Sequence, residues 1–258
     1  MVGRPGRHAL LAVLPILKEK YQPDVVVVNV ENMAHGKGVT PSTMKELAPL
    51  EIDVYTSGNH VLNKGAASTA AFDEYKNLIR PANYGADFPG SGVYKFEKNG
   101  QTIIVVNLNG TVFFEKQFFG TISNPFSELD SLLVEHGQKD AIILVDFHAE
   151  ATSEKMAMGY YADGRVTAVV GTHTHIPTAD CDILPEGTAY VTDLGMTGPK
   201  HSILGASVEN VLKSFVHGDK FSYEVAESEI AVVNGLFVET EGTKAIAVEK
   251  IHEEISLK

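Results

Sequence analysis

Short runs of β-branched residues alternate with segments of helical spacing along the first two thirds of the chain. Four runs are apolar enough to be strands with both faces buried: Asp24–Val30, Ile52–Thr56, Ala141–Val145 and Val166–Val170. Such strands need helices on the outer faces of their sheets. After residue 187 the pattern changes to a succession of strands with one helix among them. We therefore expect an α/β fold of two packed sheets with helices outside, formed by residues 1–258 as a single domain.

The other elements follow from apolar spacing and from turn residues. Val93–Phe96 and Thr102–Leu108 flank Lys98-Asn99-Gly100, which is typical of a β-hairpin. The same criteria predict further strands at 187–192, 221–225, 229–238 and 245–251, and helices at 8–21, 42–47, 66–79, 125–136 and 208–216.

The composition limits the partners that the protein can bind. A net charge of −12 at pH 7 argues against a general nucleic-acid-binding surface, because such a surface needs lysines and arginines to neutralise phosphates. A small phosphorylated substrate remains compatible if bound metal ions reverse the local field. The single cysteine, Cys181, excludes an internal disulfide and fits a reducing cytoplasm. No apolar run is long enough to span a bilayer, and no secretion signal is present, so we expect a cytoplasmic protein without a membrane anchor.

Residues able to bind metals stand where four of these strands end. They are Glu31, Asn59, His148 and the pair His173 and His175. An isolated histidine pair is more often a polar loop, but the carboxyl ends of strands in an open α/β sheet meet at one edge. Imidazole and carboxylate donors suit Fe, Mn or Zn. A carboxylate such as Glu31 can also bridge two cations, as in the two-metal centres that hydrolyse phosphoesters.

Polar residues beside these positions leave two interpretations open. Glu150 and Glu154 are either additional ligands or carboxylates that favour the start of a helix. Asp146 either fixes an imidazole tautomer or serves in a turn. Lys155 either contacts a substrate phosphate or is solvated.

The order of these motifs resembles the calcineurin-like metallophosphoesterases. Their asparagine-histidine motif, lone histidine and histidine pair match Gly58-Asn59-His60, His148 and Gly171-Thr172-His173-Thr174-His175. The resemblance narrows to the YmdB-type bacterial branch of 2′,3′-cyclic-nucleotide 2′-phosphodiesterases and covers essentially the whole chain. The segments that carry this narrower resemblance are Val30–Gly38, Arg80–Asn83, Asp146–Lys155 and Gly195–Pro199.

The resemblance implies a four-layer α/β/β/α sandwich that holds two metal ions, Fe or Mn in first place and Zn as the alternative. Carried over by position, Glu31 would bridge the metals, and Asn59, His148 and His173 would complete one site while His175 belongs to the other. Asn32 would lie beside the metals or the phosphate, and Asn32 and Asn59 would also contact substrate. A metal-bridging hydroxide would attack phosphorus, and His60 would protonate the leaving oxygen.

The sequence departs from the family pattern at two places. Val61-Leu62-Asn63-Lys64 stands where the branch commonly has Trp-Asp-Lys, and the chain contains no tryptophan. The family also opens with an apolar strand that ends in Gly-Asp, just before the segment matched here by residues 1–7. We therefore expect a truncated form whose His175 site binds metal weakly and whose turnover is low.

Three functions follow from these expectations. The first is a metal-dependent phosphodiesterase that acts on 2′,3′-cyclic nucleotides or related small phosphodiesters. The second is a metal- and nucleotide-binding regulator with little or no turnover, and the third is a phosphomonoesterase or 5′-nucleotidase. The resemblance further suggests a homo-oligomer.

Overall fold

A computed structural model describes residues 1–114 and 122–258 of the chain. Its six α-helices over these residues are α1 (Gly3–Tyr21), α2 (Pro41–Glu46), α3 (Ala66–Glu74), α4 (Pro125–His136), α5 (Thr152–Ala162) and α6 (Val208–His217). Its strands are β1 (Val27–Asn29), β2 (Val54–Thr56), β3 (Val93–Lys98), β4 (Gln101–Asn109), β5 (Ile142–His148), β6 (Ala168–Thr172), β7 (Asp182–Ile183), β8 (Ala189–Val191), β9 (Gly198–Pro199), β10 (Ile230–Glu241) and β11 (Lys244–Ser256). A short 3₁₀ helix spans Ala48–Leu50.

The larger sheet has six strands in the order β3-β4-β5-β6-β8-β7. Strands β4, β5, β6 and β8 run parallel, and the edge strands β3 and β7 run antiparallel to their neighbours. The β3–β4 hairpin turns at Asn99 and Gly100, with φ values of 52° and 79°. An Asn-Gly pair adopts these left-handed values with little strain, which is why the turn could be predicted.

The second sheet is divided into two parts, β1-β2 and β11-β10-β9. Strands β1 and β2 are parallel, whereas β9, β10 and β11 are antiparallel. Val2 lies between the parts, where its backbone N–H donates to Thr197 O at 2.8 Å and its backbone bridges Asn32. The second of the two predicted sheets is thus present as two pieces that a single residue connects.

Four layers result from the packing of helices on these sheets, which confirms the predicted sandwich. Helices α1, α2 and α3 share one apolar core with β2 and β10, and α4 and α5 share another with the outer face of the six-stranded sheet. Between the sheets, Val54 packs with Ile103 and Val105, and Ala168 and Ala189 pack with Ala245. Over the described residues, no helix is both long and apolar enough to cross a membrane.

Two predicted elements differ from the structure. The helix expected over 66–79 ends at Glu74, and Leu78 and Ile79 instead form bridges with Tyr55 and Ser91. The strand expected over 221–225 is reduced to one bridge between Val225 and Ala206. In both segments the apolar spacing reflects contacts with distant residues rather than a local period.

Candidate metal centre

Four of the predicted ligands lie at or just after the carboxyl ends of parallel strands. Glu31 follows β1, Asn59 follows β2, His148 is the last residue of β5, and His173 follows β6. Ligand atoms of Glu31, His148 and His173 all lie within 4.8 Å of one another. The strand-end argument from sequence therefore correctly brings together a carboxylate and two imidazoles.

The Nε2 atom of His148 is the centre of this group. It lies 2.8 Å from Asn59 Oδ1, 3.1 Å from His173 Nδ1 and 3.2 Å from Glu31 Oε2. Glu31, Asn59 and His148 are buried. The absence of a side chain at Gly58 makes this approach possible, because a Cβ there would lie 2.4 Å from Glu31 Oε2 and 2.5 Å from the His148 ring.

Hydrogen bonds on the outer side of His148 fix its tautomer. Thr172 Oγ1 donates to Asp146 Oδ1 at 2.7 Å, so His148 Nδ1–H donates to Thr172 Oγ1 at 2.9 Å. Asp146 also accepts from Asn29 at 2.9 Å and from Thr56 at 2.5 Å. The Nε2 lone pair of His148 therefore faces the group of ligands, and Asp146 acts through Thr172.

The other two histidines are oriented in the same way. His173 Nε2 donates to Glu150 Oε2 at 2.8 Å, which leaves the Nδ1 lone pair facing His148. His175 Nδ1 donates to Leu204 O at 2.9 Å, which leaves its Nε2 unprotonated. Both residues have positive φ, 102° for His173 and 67° for His175, so the turn holds them in a strained conformation.

This donor set suits a divalent cation. Burial raises the pKa of Glu31 to about 8, and burial lowers the pKa of His148 well below its ordinary value. At neutral pH and without metal, Glu31 is therefore mainly protonated beside a neutral imidazole, and Asn59 Oδ1 adds a further donor at short range. A cation among them would stabilise all of these groups, and the mixture of nitrogen and oxygen donors fits Fe, Mn or Zn.

Of the two residues predicted to contact substrate, Asn59 belongs to this group and Asn32 does not, and the predicted acid His60 lies beside Asn59. Asn32 is buried, and its Nδ2 donates to Gly36 O at 2.8 Å. The backbone N–H of His60 donates to Glu31 Oε2 at 3.2 Å, and its ring Nδ1 is 3.3 Å from Asn63 Nδ2. Burial, followed by the charge of Lys37, lowers the pKa of His60 to about 4.

The chain terminus lies beside His175. The Met1 amine donates to Asn29 O at 3.1 Å, and its burial lowers the amine pKa to about 6. Its charge acts on both Glu31 and His175, whose own pKa falls to about 4, mainly through burial. Among the described residues, His175 does not join the three-residue ligand group.

Two residues support the turn that contains His173 and His175, here called the histidine turn, in a role that the sequence did not predict. Lys155 Nζ and Asp193 Oδ2 form a buried ion pair at 2.6 Å, so Lys155 is neither solvated nor a phosphate ligand. Asp193 also accepts from the backbone N–H of Thr174 at 3.0 Å and of Gly195 at 2.8 Å. Only Thr192 separates Asp193 from the end of β8, so the strand-end criterion could have identified it.

Glu154 has a structural rather than a ligand role. Its carboxylate accepts from the Thr111 N–H at 2.8 Å and from the Val112 N–H at 3.3 Å, which fixes the loop after β4. Of the two glutamates considered from sequence, only Glu150 contacts a residue of the ligand group.

The chain is similar to known proteins over nearly its whole length. The 2′,3′-cyclic-nucleotide 2′-phosphodiesterase of Bacillus subtilis is 42% identical over 97% of this chain and 93% of its own length. A crystal structure of a novel phosphatase from Mycoplasma pneumoniae has a TM-score of 0.89 at 37% identity, covering 99% of this chain and 91% of that one.

A more distant structure shows the fold alone. The 5′-nucleotidase precursor from Thermus thermophilus has a TM-score of 0.57 at 12% identity and covers 99% of this chain but 49% of its own. A family model described as YmdB-like protein matches residues 1–251. With nearly the whole chain matched, this protein belongs to the YmdB-like family.

Proposed function

We propose that this protein is a metal-dependent phosphodiesterase that hydrolyses 2′,3′-cyclic nucleotides or closely related phosphodiesters. The observation that carries the proposal is the convergence of donors from Glu31, Asn59, His148 and His173, with the outer nitrogen of both histidines tied to a hydrogen-bond acceptor. The activity named for the Bacillus subtilis relative supports the substrate class.

The chain's own residues position the substrate and its protons. Glu31, Asn59, His148 and His173 would hold one cation, and Glu31 with His175 would contribute to a second. Bound cations would supply Lewis acidity toward the phosphoryl oxygens and lower the pKa of water. His60 accepts at Nδ1 from Asn63, so its Nε2–H is available to the leaving oxygen. A phosphate anion beside His60 would raise its lowered pKa and favour proton donation.

Further features of the proposal are the metal identity, assembly and location. Iron or manganese is the proposed cation, with zinc as the alternative, because the donors are imidazole, carboxylate and amide. We propose one domain over residues 1–258 that forms a homo-oligomer, supported by the exposed apolar side chains of Val208, Leu212 and Phe215 on α6. The single Cys181 fits a cytoplasmic location.

A substrate panel combined with elemental analysis tests the proposal. Purified protein should contain Fe, Mn or Zn and release product from 2′,3′-cAMP and bis-p-nitrophenyl phosphate, with both activities lost after chelation. Faster turnover of nucleoside 5′-monophosphates than of every diester would instead identify a phosphomonoesterase or 5′-nucleotidase.

A regulator with little turnover is the second candidate. The position of His175 outside the three-residue ligand group favours it, because a two-metal centre would then be incomplete. Tight binding of metal and nucleotide without hydrolysis would identify this function.

A further inference from the structure

The segment Ala34-His35-Gly36-Lys37-Gly38 forms a turn directly after the candidate ligand Glu31. Ala34 N–H donates to Gly38 O at 3.0 Å, and Gly38 N–H donates back to Glu31 O. The φ values of Gly36 and Gly38 are 85° and 79°, a conformation that glycine adopts without strain. The turn is therefore hydrogen-bonded to the backbone of Glu31, which fixes the position of the Lys37 backbone.

Lys37 stands in a turn that packs against His60, since a Cβ at the neighbouring Gly38 would lie 3.3 Å from His60 O. Its Nζ is 5.5 Å from the ring centroid of Tyr223, within cation–π range. Over residues 1–114 and 122–258 it forms no ion pair. Lys37 therefore carries a positive charge without an anionic partner, in a turn beside the His60 backbone.

The ring of Tyr223 packs against the turn at Gly36. A Cβ at Gly36 would lie 2.1 Å from Tyr223 Cε1, so the ring occupies the space that the glycine leaves. Among the described residues, the Tyr223 hydroxyl is buried without a hydrogen-bond partner, which costs free energy. The position of this ring is therefore explained by its contacts with Gly36 and Lys37 rather than by its hydroxyl.

We propose that Lys37 is a substrate-binding residue whose ammonium group binds a non-bridging oxygen of the substrate phosphate, and that Tyr223 is the positioning residue that holds it. The inference rests on the proposed phosphodiesterase function and names a recognition element of that site. In a chain of net charge −12, an unneutralised lysine beside the site attracts a phosphate anion. The interaction is stronger for a phosphate dianion than for a diester monoanion, because it scales with ligand charge.

Steady-state kinetics of Lys37→Met and Lys37→Arg test this role in the manganese-loaded protein. Loss of a charge-assisted hydrogen bond predicts a KM for 2′,3′-cAMP that rises about ten- to hundredfold in Lys37→Met, with a smaller change in kcat. Lys37→Arg keeps the charge and should retain most of the affinity. The control is Lys139→Met, an exposed lysine before β5, at the opposite end of that strand from His148.

Calorimetric binding of inorganic phosphate gives a readout that does not depend on turnover. Phosphate should bind Lys37→Met at least about tenfold more weakly than Lys139→Met. Equal KM and equal phosphate affinity in these two variants would overturn the proposal. If the unsubstituted protein hydrolyses no diester, the proposed function fails, and the phosphate titration still decides the role of Lys37. Lys37→Gln replaces Lys37→Met if the latter does not fold.

Two variants at Tyr223 test the positioning role. Tyr223→Phe keeps the ring and should leave KM within about twofold, whereas Tyr223→Leu removes the ring face and should raise KM in the same direction as Lys37→Met. A larger effect of Tyr223→Phe than of Tyr223→Leu would overturn the assignment, because the hydroxyl rather than the ring would then be the important group.

Discussion

The buried ion pair between Lys155 and Asp193 gives a sharp test of how the histidine turn is held. Both side chains are at most 2% exposed, and Asp193 also binds the backbone N–H of Thr174, between His173 and His175. Lys155→Met keeps most of the aliphatic volume but leaves the Asp193 carboxylate buried without its cation. Removing one partner of such a pair typically costs about 3–5 kcal/mol.

This cost predicts a large change in thermal stability. For a protein of this size, about 3–5 kcal/mol corresponds to a melting temperature lower by roughly 6–20 °C. Because the loss falls at the turn, metal affinity should also fall. Differential scanning calorimetry and metal titration measure the two effects.

Two further variants complete the test. In the Lys155→Met background, Asp193→Asn removes the unpaired buried carboxylate. It should recover part of the lost stability, because a neutral amide costs less free energy to bury than a carboxylate. The matched control is Lys213→Met, which breaks an exposed pair with Glu209 at 2.6 Å and should lower the melting temperature far less than Lys155→Met does. If Lys155→Met were no more destabilising than Lys213→Met, the ion pair would not support the turn as we describe.

Three other predictions concern the ligand group. His148→Ala should remove metal and activity together, and retention of both would refute the ligand assignment. His60→Asn should leave metal content nearly unchanged but slow esters with poor leaving groups far more than p-nitrophenyl esters, since a good leaving group hardly needs a proton; equal slowing would exclude His60 as the acid. In the metal-free protein, burial lowers the folded-state pKa of His60 and His175 to about 4, and it lowers the pKa of His148 in the same direction. The stability that these neutral imidazoles contribute is therefore present above pH ~6.5 and is lost as the pH falls. Glu31 has the opposite effect on stability, because its folded-state pKa is raised to about 8. The three histidines outweigh it, so thermal melting should detect a net loss of stability as the pH falls from ~6.5 to ~5. A melting temperature that stays constant or rises as the pH falls over this range would contradict the prediction.

The sequence predicted the elements that have strong local signals. Helix α4 has the predicted bounds, Pro125–His136, and the structure shows Asn124 as its cap and Pro125 as its first residue. The Asn99-Gly100 hairpin was likewise predicted from turn chemistry. The expected strand at 221–225 was wrong because Tyr223 packs against Gly36, a contact that local spacing does not reveal.

The residues of the candidate site were likewise predicted only in part. Strand-end positions identified Glu31, His148 and His173, since parallel strands share an edge. The sequence also suggested Asp146 as a residue that orients an imidazole, but not the intervening Thr172. The contact of Glu150 with His173 could not be predicted, because it depends on the positive-φ turn. Lys155 was also misleading in sequence, since a helical lysine is usually solvated and this one is buried against Asp193.

The central claim is that converging donors from Glu31, Asn59, His148 and His173 bind a divalent cation on which phosphodiester hydrolysis depends. Its most direct test is the rate of 2′,3′-cAMP hydrolysis by chelator-treated protein as Mn²⁺ is added, with bound metal counted at each step. We predict no hydrolysis without metal and a rate that rises with bound metal until the sites are filled. Hydrolysis that persists in fully metal-free protein, or bound metal that produces none, would contradict the account.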